Sequence, residues 1–273
     1  ERSVAIINAK VAGLRNYAET EGEVSVPDGE DAGNLRCNHA ETGGRVIQNA
    51  EFGDDTIYNH AESEGVASGR WNHAESGATV SGDHNHGEGG GCVLTGNNSH
   101  VEGRSNTVYG NDTHVEGNSN TVGSSDTFAE ICHVGGTSNE VYGSYNYVFG
   151  QNNSTPLDPF TQATSSSLYI AGKQNSIISS TDSFVFGKQN ETLGATDTKI
   201  IGSSNVVTDS TAFIAGVSNT VTSGGGSIIG SGNTVSGSSI AAILGSMNTA
   251  TNPRNEYIIG RNSEVSTEST HGG

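Results

Sequence analysis

The chain is poor in apolar residues, in positive charge and in good helix formers. Only 32% of its 273 residues are hydrophobic, and Leu, Ile, Val and Phe together number 53, about 19%. A thick globular core needs more, so an ordinary α/β or all-α enzyme domain is disfavoured. Lys and Arg number 12 against 30 Asp and Glu, a net charge of −18. That balance disfavours contact with nucleic-acid phosphates or anionic membrane. No run of 18 apolar residues occurs, so no helical membrane insertion is expected. Three cysteines, Cys37, Cys92 and Cys132, cannot all pair within one chain and match no zinc spacing. They read as buried or half-buried free thiols.

What is abundant is Gly, with 39 residues, alongside Ser, Thr and Asn. The few apolar residues recur at a fixed period. Asn175, Asn190, Asn205, Asn219, Asn233, Asn248 and Asn262 return every 14 or 15 residues, and Gly172, Gly187, Gly202, Gly216, Gly230, Gly245 and Gly260 keep step with them. Two residues after the Asn position, which Ala78 and Cys92 also fill, comes an apolar one, such as Val80, Leu94, Val108 or Val221. A second apolar position follows half a period later, as at Val101, Val115, Ile170, Ile200 and Ile214. Two short β runs per unit, each closing on Gly, describe one coil of a parallel β-solenoid of 14–15-residue coils, an all-β fold. Stacked coils cover one another, so two large apolar residues per coil suffice. The periodic Asn reads as a stacked amide ladder or a corner residue. The sequon Asn190-Glu-Thr192 is the weaker, glycosylation alternative.

The residues flanking the second apolar position point to the opposite face of the strand. In the second half they are apolar, including Phe184, Phe186, Phe213 and Tyr257. A strand apolar on both faces is covered on both, most simply by a second copy of the chain. In the first half the same positions hold His60 and Glu62, His73 and Glu75, His86 and Glu88, His100 and Glu102, and His114 and Glu116. Asn38-His39-Ala40-Glu41 opens this series, and Phe128 with Glu130 is read as closing it. His-x-Glu is a pattern that can bind metal. The preferred reading is pairing between chains that sets register, with no metal and no cofactor assigned. Every rung is alike, whereas a catalytic site is singular, and no nucleophile elbow, phosphate loop or His-Glu-x-x-His run occurs. No catalytic residue is assigned and the chain is not read as an enzyme.

The repeat is interrupted at places read as loops. The longest, Glu23–Cys37 and Asn152–Ser167, hold the candidate binding residues Asp28, Glu30 and Asp31, and Leu157 and Phe160. A further excess is expected around Ile131–Gly136. The organisation expected is 1–150 as His/Glu-rich repeats with insertions, 151–167 as an inserted loop, 168–263 as repeats with an apolar interface, and 264–273 as a polar tail or linker.

The motifs Asn59-His60-Ala61-Glu62, Asn72-His73-Ala74-Glu75, Ser99-His100-Val101-Glu102-Gly103 and Thr113-His114-Val115-Glu116-Gly117 resemble the His-Ala-Glu-Gly repeats of bacteriophage tail-fibre and appendage proteins. The Asn-x-Val-x-Gly period also resembles the head of trimeric autotransporter adhesins. The resemblance implies a left-handed parallel β-roll, a homotrimeric rod whose axis is lined by the His/Glu and apolar positions above, and attachment to a host receptor or glycan. It implies a structural fibre located in the virion or, alternatively, an adhesin on the bacterial cell surface.

Overall fold

A computed structural model describes residues 3–12, 15–25, 35–48, 56–156, 165–237, 240–252 and 256–266. The chain divides into two compact units, Glu1–Ser138 and Asn139–Gly273. Among the described residues there is no helix. Both units are built as the period requires. Most coils contribute one strand to a first sheet and one to a second, the strands pairing in parallel with those of the next coil, and the first unit adds the short strands Leu35–Arg36, Thr56–Ile57 and Ala129–Glu130.

In the first unit the first sheet stacks Tyr17–Glu19, His39–Ala40, His60–Ala61, His73–Glu75, His86–Glu88, His100–Glu102, His114–Asn118 and His133–Thr137. The second sheet includes Val66–Arg70, Thr79–Asp83, Val93–Asn97, Thr107–Asn111 and Thr121–Val122. In the second unit the first sheet runs from Tyr147–Gln151 through Phe184–Lys188 and Thr211–Val217 to Glu256–Arg261. The second sheet runs from Glu140–Val141 through Glu191–Leu193 and Thr220–Thr222 to Glu264–Ser266. Register is like on like: His73 pairs with His86, and Gly187 with Gly202.

The core of each unit is the narrow column the period predicts. Val101 and Val115 meet Leu94 and Val108 in the first unit, and Val185, Ile200 and Ile214 meet Val207 and Val221 in the second. All are fully buried. Each contributes about 1.5–3 kcal/mol by leaving water. The corners explain the Asn and Gly. The residue before each ladder position takes a left-handed conformation, as at Trp71 (φ 54) and Ser218 (φ 57). The next residue turns its amide inward. Asn190 is buried, and its Nδ2 donates to Asn175 Oδ1 at 3.0 Å and to the Gly202 carbonyl at 2.9 Å. This engagement favours the ladder reading over the glycosylation reading. At Gly187 (φ 139) a Cβ would run into the Gly202 carbonyl oxygen, so two coils approach too closely there for a side chain.

The ladder occupies two different corners. Asn38, Asn59, Asn72 and Asn85 precede first-sheet strands. Asn106 and Asn120 precede second-sheet strands, as do Asn205, Asn219 and Asn233 in the second unit. Where Asn gives way, a hydroxyl continues the column: Ser99 N–H donates to Asn85 Oδ1 at 2.9 Å, and Thr113 N–H to Ser99 Oγ at 3.0 Å. The three cysteines are free, with Cys92 and Cys132 buried at corner positions and Cys37 half-buried. One insertion falls elsewhere than expected. Residues 133–137 are a regular strand on His114–Asn118, and the excess lies at Gly123–Phe128, closed by Ser124 and Thr127 hydrogen-bonding to one another.

Candidate functional site

The outward row of the first sheet is the most distinctive surface in both units. In the first unit each strand turns its small central residue inward, fully burying Ala40, Ala61, Ala74, Val101 and Val115. The flanking His and Glu are thereby set outward. Parallel like-on-like register then stacks the imidazoles. His39, His60, His73, His86, His100, His114 and His133 form one column with ring centroids 4.7–5.0 Å apart and planes within 18° of parallel. His133 belongs to this column, and the series does not close on Phe128 and Glu130. Phe128 sits at the insertion, edge-on to Tyr109, and Glu130 follows Ala129 beside Asn111 on another strand. The sequence did hold the signal, since Cys132-His133-Val134 repeats Thr113-His114-Val115.

The carboxylates form a second column beside the rings. His60 Nε2 lies 3.2 Å from Glu41 Oε1, within hydrogen-bond reach. The other pairs are longer: His86 to Glu75 3.5 Å, His39 to Glu41 3.8 Å, His73 to Glu62 3.9 Å and His100 to Glu102 3.9 Å. The Nε2 atoms of His39, His73, His86 and His100 are shut off from water and make no hydrogen bond. Burial, and then the neighbouring imidazoles, hold His73, His100 and His133 below the ordinary histidine value. Both causes disfavour the charged form of these three rings. Glu62 and Glu75 share a hydrogen bond that lowers Glu62 and raises Glu75. At the start of the row Tyr17 donates its hydroxyl to Glu19 at 2.6 Å, which lowers Glu19 and raises Tyr17.

In the second unit the equivalent row is mostly apolar, interrupted by Lys199 and Ser227, and is uncovered in the single chain. Phe184 and Phe213 are 36% and 37% exposed, Phe186 53% and Tyr257 84%. Ile201, Ile229, Leu244 and Ile259 extend the row and are exposed as well. The Tyr169 and Phe184 rings stack at 5.2 Å. The candidate loop residues Asp28, Glu30, Asp31, Leu157 and Phe160 lie outside the described residues.

One surface escaped the reading of the sequence. Tyr58, Trp71 and His84, each just before a ladder Asn, stack along a corner at 5.7 and 4.7 Å. Arg70 flanks Trp71 and grips Asp83 through Nε (3.2 Å) and an Nη (2.6 Å). The signal was the triplet aromatic-Asn-His at 58–60, 71–73 and 84–86. No protein-family model matches the chain, and no curated protein matches it either.

Proposed function

We propose that the chain is a structural fibre of a bacteriophage tail or particle appendage, a homotrimeric rod that mediates host attachment, and not an enzyme. The observation that carries this reading is the exposed apolar row of Phe184, Phe186, Ile201, Phe213, Ile229 and Leu244 on strands whose other face is core. A soluble protein rarely leaves such a row open. A second copy is the simplest cover, because a symmetric assembly brings the same row against itself. The His and Glu row of the first unit suits the same role, offering donors and acceptors that align one rung against another. Three copies rest on the family resemblance, in which the adhesin heads are trimeric β-rolls. Its rungs repeat one chemistry many times, which supports scaffolding over catalysis, where a singular acid, base or nucleophile is wanted. Attachment is assigned to the breaks in the repeat, Asp28, Glu30 and Asp31 in one and Leu157 and Phe160 in the other, with avidity from several copies strengthening weak contacts.

A second reading, the head of a bacterial trimeric surface adhesin, is favoured by the long Asn ladder from Asn175 to Asn248 and its 14–15-residue step. Light scattering should give three times the 28.0 kDa chain mass. Antibody raised against the chain should label tail appendages of particles, and the purified chain should compete with particles for host cells. A monomer in solution overturns the trimer. Label on bacterial envelopes instead of particles selects the adhesin.

A further inference from the structure

The His/Glu column has a feature that register-setting contacts do not require. His73, Glu75 and His86 bring one ligand atom each to within 4.8 Å of one another, and so do His39, Glu41 and His60. Each group is two imidazole nitrogens and one carboxylate oxygen, all from a single chain. We propose that these two groups are zinc sites, each binding a Zn2+ ion through His, Glu and His of two successive coils and leaving a fourth position for water or a further ligand. This goes beyond the fibre reading and does not rest on it, since no ligand comes from a second copy.

Three observations carry the assignment. Zinc takes imidazole nitrogen and carboxylate oxygen at about 2.0–2.2 Å in tetrahedral geometry, so two of its ligands sit roughly 3.4 Å apart. His86 Nε2 and Glu75 Oε1 are 3.5 Å apart, which is long for a hydrogen bond and right for two ligands of one ion. Glu41 reaches both of its imidazoles, Oε1 lying 3.2 Å from His60 Nε2 and Oε2 3.8 Å from His39 Nε2. The second observation is the idle nitrogen: Nε2 of His39, His73 and His86 is shut off from water with no hydrogen bond. A buried polar atom without a partner costs free energy that a metal bond would recover. The third is the freedom to close. The rings are more than a third exposed at the side chain, so His73 can tilt out of its stack to shorten its reach to the ion. Glu62 lies between the two groups, 3.9 Å from both His60 and His73.

The test uses the full chain stripped with a chelator and desalted, titrated with Zn2+ against a chromophoric chelator. Two equivalents per chain are expected. Combined His73→Gln and His86→Gln substitution should remove one equivalent. His84→Gln, on the exposed corner column, should remove none. Co2+ in place of Zn2+ on the unaltered chain should give the intense visible bands of a four-coordinate nitrogen and oxygen site, a readout that does not depend on how the variants fold. Uptake below one equivalent by the unaltered chain overturns the proposal. So does unchanged uptake in the double variant, or a Co2+ spectrum indistinguishable from the hydrated ion.

Discussion

The side-chain carbonyl of Asn205 accepts two hydrogen bonds from Asn219, one from its backbone N–H and one from its Nδ2, each at 3.0 Å. Asn219 repeats the arrangement toward Asn233, at 3.1 and 2.9 Å, and gives its second Nδ2 proton to the Gly230 carbonyl at 2.9 Å. Every capacity of the amide is used, at a fully buried corner. Replacing Asn219 by Ala should therefore strand several groups at once. The expected loss is about 1–3 kcal/mol for each group left bare. Urea unfolding should show a lower midpoint for Asn219→Ala. A midpoint equal to that of the unaltered chain would mean the amide column is ornamental.

Glycine should matter by position, and Gly187 and Gly90 make the comparison. Gly187 has φ 139, and its Cβ would collide with a backbone carbonyl, whereas a Cβ on Gly90 meets nothing within 4 Å. Gly187→Ala has to force two coils apart and should destabilise strongly. Gly90→Ala only restricts the unfolded chain and should stabilise by about 0.4–1 kcal/mol if its backbone suits alanine. Thermal melts of the two variants should move in opposite directions. Equal shifts would remove the steric account of the glycine column.

The fold was legible because the period is a direct imprint of stacking. A residue that is core in one coil, such as Val207, is core in the next, Val221, and repetition raises the signal above a meagre composition. The outward row was legible for the same reason. What escaped were features the period does not encode. The excess near 120–139 was counted from the spacing but placed at Ile131–Gly136, although Cys132-His133-Val134 repeats Thr113-His114-Val115 and leaves Gly123–Phe128 as the extra residues. The aromatic residues Tyr58, Trp71 and His84 recur in step with the coil, but they became a stack only once the corner placed them one above another. The protonation of His73 depends on its burial and then on the rings above and below it, and a motif reads each His alone.

Acid should weaken the first unit before the second. The folded values of His73, His100 and His133 lie below the ordinary value, while the unfolded chain takes up protons near about pH 6.5. Above that value neither state is protonated there, and these groups contribute no pH dependence. As pH falls below it, the unfolded chain binds protons that the folded one refuses, so stability drops until the folded values are passed. Glu62 and Glu19 are lowered and add a loss at more acid pH, while Glu75 is raised and opposes it slightly. The described residues of the second unit contain no histidine. Hydrogen exchange corrected for intrinsic rate, compared at about pH 7.5 and 5.5, should show protection falling in strands 73–75, 86–88 and 100–102 and holding in 184–188 and 199–203. Equal changes in both units would overturn this account.

The two faces of one strand can be told apart at adjacent isoleucines. Ile200 is fully buried between the sheets, and Ile201 beside it is 46% exposed on the outward row. Identical side chains one residue apart thus carry different duties. Ile200→Ala leaves a cavity inside the single chain, and should cost about 2–5 kcal/mol whatever the protein concentration. Ile201 has little to lose within its own chain. If its row is covered by other copies, its cost appears only on assembly, and therefore depends on concentration. Ile201→Asp, alone or with Phe186→Asp, places charge where another copy would have to desolvate it. Such a variant should keep the far-ultraviolet spectrum of a β-solenoid while its mass by light scattering falls to the single-chain 28.0 kDa. Its unfolding should also lose any dependence on concentration. Should Ile201→Asp assemble like the unaltered chain, the apolar row is not the contact between copies.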